Sequence, residues 1–414
     1  MLLKDYLPNI NKKFKNLNFS GLAFNSKEVK KNYIFIAIKG DRFDGNNYIN
    51  DAIKNGAKII ISSKFKDQIK NNIIYLKQKN PRQILSNLSS QIFKKKPQNL
   101  IAVTGTNGKT SIANFYYQIL KKNKKKVASF GTLGISGKKK IENTSNTTFD
   151  PIKIGKNLNY LEKKKINNVI LEASSHGLKQ HRLDGLKFDV GIFTNLSRDH
   201  LDYHKTLKDY LNAKLILFKK LMKKGSVAIF DEDTKYAEIL KNICKKNKIK
   251  KFTIGELNGD LLIEKYSIVD NKQELTFSFN KKKYNLKTQL IGKIQIKNLL
   301  MSILAAHKSN IKLDNILKSV ENIKAVPGRF EEIGNFKNNS IAILDYAHTP
   351  DALKTCVLNI KEQFKHRKVN LVFGCGGDRD KPKRSIMGKI ANDLCDKIYL
   401  TDDNPRTESP KKIR

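Results

Sequence analysis

Short apolar runs alternate with amphipathic stretches along most of the chain. Apolar runs that end in glycine or polar turns predict buried β-strands. These strands cover residues 33–38, 58–62, 100–103, 127–130, 169–173, 190–194, 341–345, 369–373 and 397–401, and residues 261–279 alternate like a hairpin. Helical periodicity predicts helices over residues 51–56, 110–120, 206–222 and 298–307. Strands that alternate with helices predict an α/β fold built on parallel sheets.

The chain is long enough to need more than one hydrophobic core, because it has 414 residues. A polar link that ends in proline at residues 94–97 and a Val-Pro-Gly turn at residues 326–328 mark the boundaries. We therefore predict a small N-terminal α/β domain (1–97), a central domain on a parallel sheet (98–325) and a third α/β domain (326–414).

Residues 104–110 read Thr-Gly-Thr-Asn-Gly-Lys-Thr and lie between a predicted strand and a predicted helix. Glycines in such a turn let backbone N–H groups point at phosphate oxygens, and the helix N-terminus adds partial positive charge. Lys109 supplies a full charge, and the Thr110 hydroxyl suits a magnesium ion. Val103 stands where the usual phosphate loop has glycine, so this loop is a variant. The context favours a nucleoside triphosphate site over a glycine-rich turn with an incidental lysine.

Two further polar residues, Glu172 and His200, come at or just after predicted strands. The carboxyl ends of parallel strands share one sheet edge, so both should converge on the phosphate loop there. Glu172 suits magnesium as an oxygen ligand, whereas a lone histidine is more often a hydrogen-bonded structural residue than a metal ligand. Lys214 borders an apolar helical run, where a lysine can simply direct its charge to water. The Ser-His pair at residues 175–176 would suit a hydrolase, but no Gly-x-Ser-x-Gly elbow accompanies it.

The formal net charge of +43 raises the possibility of a nucleic-acid partner. Lysine accounts for most of it, since only ten of the 81 basic residues are arginine, and no aromatic-interleaved basic stripe accompanies the lysines. We therefore favour solvated lysine-rich faces and no specific nucleic-acid site; DNA binding that survives physiological salt would reverse this choice. The rare arginines indicate sites that need a planar guanidinium group, which can donate two parallel hydrogen bonds to one anion. Those in dense polar motifs are Arg182, Arg198, Arg329, Arg379, Arg384 and Arg406.

The cysteines and apolar runs limit the cellular setting. Four scattered cysteines without CxxC spacing argue against a disulfide framework or a zinc cluster, and they fit a reducing compartment. No apolar run reaches about 18 residues and no signal peptide is recognisable. We expect a cytoplasmic protein without a membrane span.

Five segments together resemble one known family: residues 104–110, 172–182, 195–204, 345–353 and 374–384 are similar to the Mur ligases. Within that family they are most similar to the members that add the third residue of the peptidoglycan stem peptide. The resemblance implies three α/β domains: a UDP-binding one, a central ATP-binding one and a Rossmann-like one for the amino acid. It also implies that ATP, UDP-MurNAc-L-Ala-D-Glu and an amino acid yield the tripeptide, ADP and phosphate through an acyl phosphate.

The same resemblance implies a set of site residues. ATP would be bound by Thr104, Gly105, Thr106, Asn107, Gly108, Lys109, Thr110, Asn298, Arg329 and Asp345. Magnesium would be held by Thr110, Glu172, His200 and Lys214, the last as a carbamylated lysine; Lys109, Glu172, His200 and Lys214 would be catalytic. The UDP-sugar dipeptide would be held by Ser26, Thr147, Thr148, Ser174 and Arg182. The amino acid would be bound by Arg379, Asp403, Asn404, Pro405 and Arg406.

The Asp-Asn-Pro-Arg stretch at residues 403–406 bears on which amino acid is added. In the family this pattern accompanies meso-diaminopimelate, whose distal carboxylate fits a guanidinium fork, and lysine-using relatives lack the arginine. We therefore expect meso-diaminopimelate. Gln295 stands where the family often has asparagine.

Two alternatives stay open at this point. Folylpolyglutamate synthases share the Thr-Gly-Thr-Asn-Gly-Lys-Thr loop, although they would not explain residues 403–406. The family pattern also continues with further strands and a Gly-Lys-Gly-His-Glu segment beyond the position of Arg414. We therefore expect a partial third domain, with an inactive fragment as the alternative. We expect a monomer that acts on small molecules.

Overall fold

The structure is a computed structural model that describes residues 1–8, 10–40, 43–137, 146–378 and 380–414. The described residues form two compact units. The first comprises Met1–Gln98, Thr148–Asn167 and His176–Lys187, and the second comprises Asn99–Thr147, Asn168–Ser175 and Phe188–Arg414. Two segments from later in the chain therefore complete the first unit. The divisions after residues 97 and 325 stay predictions.

Strands and helices alternate through both units. The strands are β1 (Gly21–Ala23), β2 (Tyr33–Ile36), β3 (Ala57–Ser62), β4 (Gln68–Lys70), β5 (Ile73–Lys77), β6 (Asn99–Thr104), β7 (Val127–Gly131), β8 (Gly134–Ser136), β9 (Asn168–Glu172), β10 (Phe188–Phe193), β11 (Met222–Asp231), β12 (Lys250–Gly255), β13 (Leu261–Val269), β14 (Lys272–Phe279), β15 (Lys282–Thr288), β16 (Glu331–Asn335), β17 (Ile341–Leu344), β18 (Asn370–Phe373) and β19 (Lys397–Leu400). The helices are α1 (Ile49–Lys54), α2 (Pro81–Ile92), α3 (Lys109–Lys122), α4 (Pro151–Lys163), α5 (Ser175–Lys179), α6 (Leu201–His204), α7 (Leu207–Ile216), α8 (Ala237–Asn247), α9 (Lys293–Lys308), α10 (Leu313–Val320), α11 (Pro350–Gln363), α12 (Pro382–Leu394) and α13 (Pro410–Ile413). Short 3₁₀ turns cover Leu3–Asp5, Lys12–Phe14, Ser26–Glu28 and Gly45–Tyr48, and a π-helical turn, Leu217–Leu221, follows α7.

The predicted α/β class is confirmed, and each predicted strand and helix has a counterpart in the structure. The hairpin predicted for residues 261–279 is β13 and β14, and a third antiparallel strand, β15, extends it. Across the described ranges, no helix combines the length and the apolar character needed to span a membrane.

A mostly parallel sheet forms the framework of the first unit. Within the described residues its strand order is β1-β2-β3-β5-β4, and only β4 is antiparallel to its neighbour. Helices α2 and α4 pack together although about sixty residues separate them in sequence, and Ser89 Oγ donates to Pro151 O at 2.7 Å. A Cβ atom on Gly155 would lie 2.7 Å from Ser89 Oγ, so glycine permits this close helix contact. The side chain of Ile152 thereby joins the core of the N-terminal sheet.

A larger sheet organises the second unit. Its order among the described strands is β15-β14-β13-β12-β11-β10-β6-β9-β7-β8, and the run from β13 to β7 is parallel throughout. The register pairs Val103 of β6 with Glu172 of β9 on one side and with Ile192 of β10 on the other. The carboxyl ends of these three central strands therefore lie at the same level of one sheet edge. Helices α3 and α9 cover the sheet with buried apolar side chains such as Phe115 and Ile303.

The strands of the last ninety residues pair differently from the expectation of a single parallel sheet. In the described part of this region, β16 pairs with β17 antiparallel and β18 pairs with β19 parallel, as two separate pairs. The prediction that β17 shares one parallel sheet with β18 and β19 is therefore wrong. The physical reason is that the two pairs pack against different side chains of helix α11 and so belong to separate apolar clusters. Cys356 clusters beside Ile343 of β17, whereas Leu353 and Val357 cluster with Leu371 of β18.

Removing a buried side chain from α9 should test the core of the second unit. Ile303 is fully buried, so Ile303→Ala should lower the free energy of unfolding by about 2–5 kcal/mol. Ile239→Ala removes the same atoms from a side chain in α8 that is 41% exposed, and should cost less than about 1 kcal/mol. Urea unfolding of both variants measures the difference. Equal losses would contradict the assignment of α9 to the core.

Candidate functional site

The loop between β6 and α3 takes a backbone path that only glycine permits at two positions. Gly105 has φ +153° and Gly108 has φ +86°. A Cβ atom on Gly105 would lie 1.8 Å from Thr194 Oγ1, and one on Gly108 would lie 2.5 Å from Asn298 Oδ1. Gly108 precedes the first turn of α3, where the N–H groups of a helix attract anions. The strand, glycine loop and helix predicted for a phosphate site are therefore present.

Residues after β10 support this loop from the neighbouring strand. Thr106 N donates to Asn195 O at 3.0 Å, and Asn107 N donates to Asn195 Oδ1 at 2.9 Å. Thr194 Oγ1 donates to Asn107 O at 2.5 Å. Neither Thr194 nor Asn195 is among the site residues predicted from the sequence. Their position directly after a strand that pairs with β6 is the signal that could have identified them.

Two lysine ammonium groups converge on a single carbonyl behind the loop. Lys109 Nζ donates to Gly105 O at 2.8 Å, and Lys214 Nζ donates to the same oxygen at 2.7 Å. Lys214 is only 1% exposed and lies 4.1 Å from the centre of the Tyr210 ring, so its charge is not directed to water. Burial lowers the pKa of Lys109, and the negative charges of Glu172 and Asp199 oppose this decrease. Burial and then the Lys109 charge lower the pKa of Lys214 well below its ordinary value.

Glu172 provides a buried carboxylate beside the loop. Its Oε2 accepts from Thr110 Oγ1 at 3.1 Å and from Thr132 Oγ1 at 3.2 Å, and its Oε1 accepts from Thr132 N at 2.9 Å. A Cβ atom on Gly131 would lie 2.0 Å from Oε1, so glycine at the end of β7 makes room for the carboxylate. Burial raises the pKa of Glu172, and the Lys109 charge opposes that rise. The arrangement groups carboxylate and hydroxyl oxygens, the ligand types that magnesium prefers.

His200 lies at the rim of the same sheet edge in a left-handed conformation, with φ +51°. Its backbone N donates to Asp199 Oδ1 at 2.8 Å, and Nε2 lies 3.4 Å from Asp199 Oδ2. Desolvation lowers the pKa of His200 and Asp199 opposes this, although 43% of the side chain is exposed. Within the described residues, no cluster of three or more His, Cys, Asp or Glu side chains has metal-binding geometry. The predicted magnesium ligands are instead one carboxylate, one histidine, a hydroxyl and a lysine, so their role stays a prediction.

Residues from the last part of the chain close the site. Asp345 Oδ2 accepts from Phe330 N and Oδ1 accepts from Ala347 N, both at 2.9 Å. The Arg329 guanidinium lies 4.3 Å from the centre of the Tyr346 ring. Burial lowers the pKa of Arg329, and Asp345 and Glu172 oppose that change. These contacts give the segment that carries Arg329 and Asp345 a defined conformation.

These residues surround a cavity of about 420 Å³ within the second unit. Its wall includes most of the predicted nucleotide and metal residues, namely Thr106, Asn107, Gly108, Lys109, Thr110, Glu172, His200, Asn298, Arg329 and Asp345. It also includes Thr147, whose hydroxyl lies 3.2 Å from Thr132 Oγ1. Thr104 and Lys214 are buried beneath the loop. The cavity therefore joins phosphate-binding groups, a buried carboxylate and an arginine in one space.

The predicted residues for the UDP-sugar dipeptide divide between the units. Ser26, Thr148 and Arg182 belong to the first unit, and Thr147 and Ser174 belong to the second. In the first unit, Arg182 Nη1 donates to Thr148 O, and Nη2 donates to Gln180 Oε1 at 2.7 Å. A shared substrate role for the five residues stays a prediction.

The Asp-Asn-Pro-Arg stretch folds against the glycine-rich turn that follows β18. Gly377 N donates to Asn404 O at 2.9 Å, and Arg406 Nη1 donates to Gly377 O at 2.6 Å. A Cβ atom on Gly377 would lie 1.8 Å from Pro405 O, so this approach requires glycine. The structure therefore brings together Asp403, Asn404, Pro405 and Arg406, whereas Arg379 lies outside the described residues.

Sequence profiles of three domains match the chain in order. They are the Mur ligase family, catalytic domain, over residues 18–96, the Mur ligase middle domain over residues 103–306, and the Mur ligase, glutamate ligase domain, over residues 328–414. This chain belongs to the Mur ligase family. As a Mur ligase it is an ATP-dependent, ADP-forming enzyme that makes amide bonds.

Individual relatives agree with this membership. The UDP-N-acetylmuramoyl-L-alanyl-D-glutamate–2,6-diaminopimelate ligase of Rickettsia prowazekii is 41% identical over 98% of this chain and 84% of its own length. A solved structure of a ligase with that name has a TM-score of 0.77 and 30% identity, and covers all of this Mur ligase and 84% of the solved chain. The MurF ligase of Thermotoga maritima, solved in complex with ADP, has a TM-score of 0.68 at 21% identity over 95% of this chain and 86% of its own, which indicates the shared fold.

Substituting Gly131 should displace the buried carboxylate. The new methyl group of Gly131→Ala would overlap Glu172 Oε1, and we expect ATP turnover to fall by about 100-fold or more. Gly388→Ala is the matched control, because a Cβ atom there, within α12, has open space around it. Phosphate-release assays on both variants measure the effect. Equal activity in the two variants would contradict the role of Gly131.

The loop that carries Arg406 should be sensitive to acid through Glu408. Hydrogen bonds from Arg384, at 2.8 and 3.0 Å, lower the pKa of Glu408 to about 2. An unfolded glutamate has a pKa of about 4.3, so the stabilisation is present above that pH and is lost as the pH falls towards 2. The thermal unfolding midpoint of Glu408→Gln should therefore lie below wild type near neutral pH and approach it in acid. The exposed Glu362→Gln control should follow wild type throughout; a constant Glu408→Gln difference would contradict the assignment.

Proposed function

We propose that this Mur ligase adds meso-diaminopimelate to UDP-MurNAc-L-Ala-D-Glu in peptidoglycan precursor synthesis. The main support is the cavity in which Lys109, Thr110 and Glu172 meet, closed by Arg329 and Asp345. The 41% identity to a ligase named for these substrates supports the specific reaction, and favours it over the folylpolyglutamate synthase alternative. We further propose that it works in the cytoplasm as a monomer on small molecules, without a specific nucleic-acid partner.

The phosphate loop is suited to hold ATP. Backbone N–H groups at the start of α3 would bind the phosphates, and Lys109 is within reach because its ammonium already folds over the loop. Asn298 donates to Gln295 Oε1 at 3.0 Å at the cavity wall, close to where the rest of the nucleotide would extend. Arg329 and Asp345 would contact the nucleotide from the last part of the chain.

Magnesium fits the residues beside the loop. Glu172 is a carboxylate at 2% exposure that lies beside the Thr110 hydroxyl, and carboxylate and hydroxyl oxygens are ligands that a divalent cation prefers. We propose Thr110 and Glu172 as ligands of one ion, and His200 and Lys214 as ligands of a second. When bound, magnesium supplies positive charge against the phosphoryl oxygens in transit.

The reaction would proceed in two displacements. A carboxylate oxygen of D-glutamate attacks the γ-phosphorus, and the bond between that phosphorus and the oxygen of ADP breaks, which gives an acyl phosphate and ADP. The amino nitrogen of diaminopimelate then attacks the acyl carbon, and phosphate leaves as the nitrogen loses a proton. Lys109 and Arg329 would stabilise the negative charge spread over the phosphoryl oxygens.

Lys214 is suited to carbamylation. Carbon dioxide adds to a neutral amine with loss of a proton, and the lowered pKa of the buried Lys214 favours that neutral form. The product is a carbamate whose oxygens can take part in metal binding. This change would replace one of the two buried ammonium groups at Gly105 O by an anion, which relieves their mutual repulsion.

We propose that Arg406 binds the distal carboxylate of diaminopimelate. Its guanidinium is oriented by the 2.6 Å hydrogen bond from Nη1 to Gly377 O. A planar, oriented fork can pair with a carboxylate through two parallel hydrogen bonds, which a lysine side chain cannot do. Asp403, Asn404 and Pro405 would shape the same pocket, with Arg379 as a further proposed ligand.

Phosphate release from ATP in the presence of UDP-MurNAc-L-Ala-D-Glu tests the proposal. We expect release with meso-diaminopimelate, and little with L-lysine or without an amino acid. Arg406→Lys should lower kcat/KM for diaminopimelate by about 10- to 100-fold, the effect of losing a charge-assisted pair, while Arg367→Lys at an exposed site serves as the control. Release that prefers L-lysine would overturn the diaminopimelate assignment, and no release with any amino acid would overturn the proposed reaction for this chain.

A further inference from the structure

His181 precedes Arg182 in the first unit and has no part in the chemistry proposed above. Its backbone has φ +59°, a left-handed conformation that few residues other than glycine adopt. This turn brings the chain back so that Arg182 N donates to Gly177 O at 2.9 Å. The direction in which the Arg182 side chain leaves the loop therefore depends on the conformation of His181.

The imidazole ring of His181 is held on both sides. Nδ1 lies 2.8 Å from Asp184 Oδ2, and Nε2 lies 3.0 Å from Asn80 Nδ2. A carboxylate only accepts, so its contact assigns the proton to Nδ1 and leaves Nε2 to accept from the amide of Asn80. The side chain of His181 is 28% exposed and that of Asp184 is 10% exposed, so both contacts are largely shielded from water.

The orientation of the Asn80 amide is set independently. Its Oδ1 accepts from Gln83 N at 3.2 Å and caps the N-terminus of α2, so Nδ2 must face away from the helix, towards His181. Gln83 Nε2 also donates to Asp184 Oδ2 at 3.2 Å. A closed set of hydrogen bonds thus ties the loop that carries Arg182 to the start of α2.

The guanidinium of Arg182 is itself held within this loop. Its Nη2 and Nε donate to Gln180 Oε1 at 2.7 and 3.2 Å, and Nη1 donates to Thr148 O. A Cβ atom on Gly177 would lie 2.6 Å from Thr148 Cβ, so the loop packs closely on Thr148. Displacement of the loop would move the guanidinium away from the Thr148 carbonyl.

We propose that His181, held between Asp184 and Asn80, is a positioning residue that fixes Arg182 for binding the anionic nucleotide-sugar dipeptide. This inference rests on the proposed substrate role of Arg182. His181 acts through its neighbour, so its loss affects binding of that one substrate. The ATP cavity, which belongs to the second unit, keeps its own set of contacts.

Calorimetric binding of UDP-MurNAc-L-Ala-D-Glu and steady-state kinetics on the full chain test the inference. His181→Ala should raise the Kd and KM for this ligand about tenfold, the effect of losing one to two oriented hydrogen bonds, with kcat and the KM for ATP within about twofold of wild type. His181→Asn should recover part of the affinity, because asparagine tolerates positive φ and can still donate to Asp184. His366→Ala, at an exposed histidine in the second unit, is the matched control.

The outcomes separate this inference from the function on which it rests. If wild type binds the ligand and Arg182→Ala weakens binding but His181→Ala does not, the positioning role is overturned while the proposed function stands. If wild type does not bind the ligand, both are overturned. Thermal unfolding of each variant excludes a general loss of structure, and an equal change in the KM for ATP and in the KM for the dipeptide would also overturn the positioning role.

Discussion

Close contact between glycines and the side chains behind them is the constraint on which the active-site geometry depends. Gly105 lies against Thr194, Gly108 against Asn298 and Gly131 against Glu172, at distances that leave no space for a Cβ atom. The parallel register brings these contacts to one sheet edge, because β6, β9 and β10 end at the same level. Only with these contacts can the phosphate loop, the carboxylate and the helix N-terminus share one small cavity.

The electrostatics of the site follow from this close packing. Lys214 and Glu172 are buried and Lys109 is partly buried, and this burial raises the pKa of the carboxyl and lowers those of the two ammonium groups. Buried charges of this kind are costly unless partners neutralise them. A polyanionic nucleotide with a divalent cation would supply both signs of charge at the required places. The lysines and the carboxylate of the site are thus complementary to a ligand that carries negative charge together with a bound cation.

A short chain of hydrogen bonds connects the central sheet with the last part of the chain. Asn298, which touches Gly108, donates to Gln295, and Gln295 Nε2 donates to Arg329 O at 3.3 Å. The side chain of Gln295 therefore contacts both the amide of Asn298 and the carbonyl of Arg329. The phosphate loop and the segment that carries Arg329 are therefore coupled through two neutral amides. Neutral groups suit this buried position because they cost less to desolvate than charges.

The sequence by itself determined the α/β class, part of the strands and helices, the phosphate loop and the position of Glu172 at a strand end, because periodicity and local motifs encode them within a few residues. The assignment of Lys214 came from the family resemblance alone. Tertiary structure alone decided that Thr148–Asn167 and His176–Lys187 complete the first unit, and that β17 pairs apart from β18. It also revealed that Thr132 is a hydrogen-bond partner of Glu172 and that Asn195 is a partner of the phosphate loop. Such contacts join residues tens of positions apart, and they depend on which helix faces pack together, which no local pattern of hydrophobic and polar residues specifies.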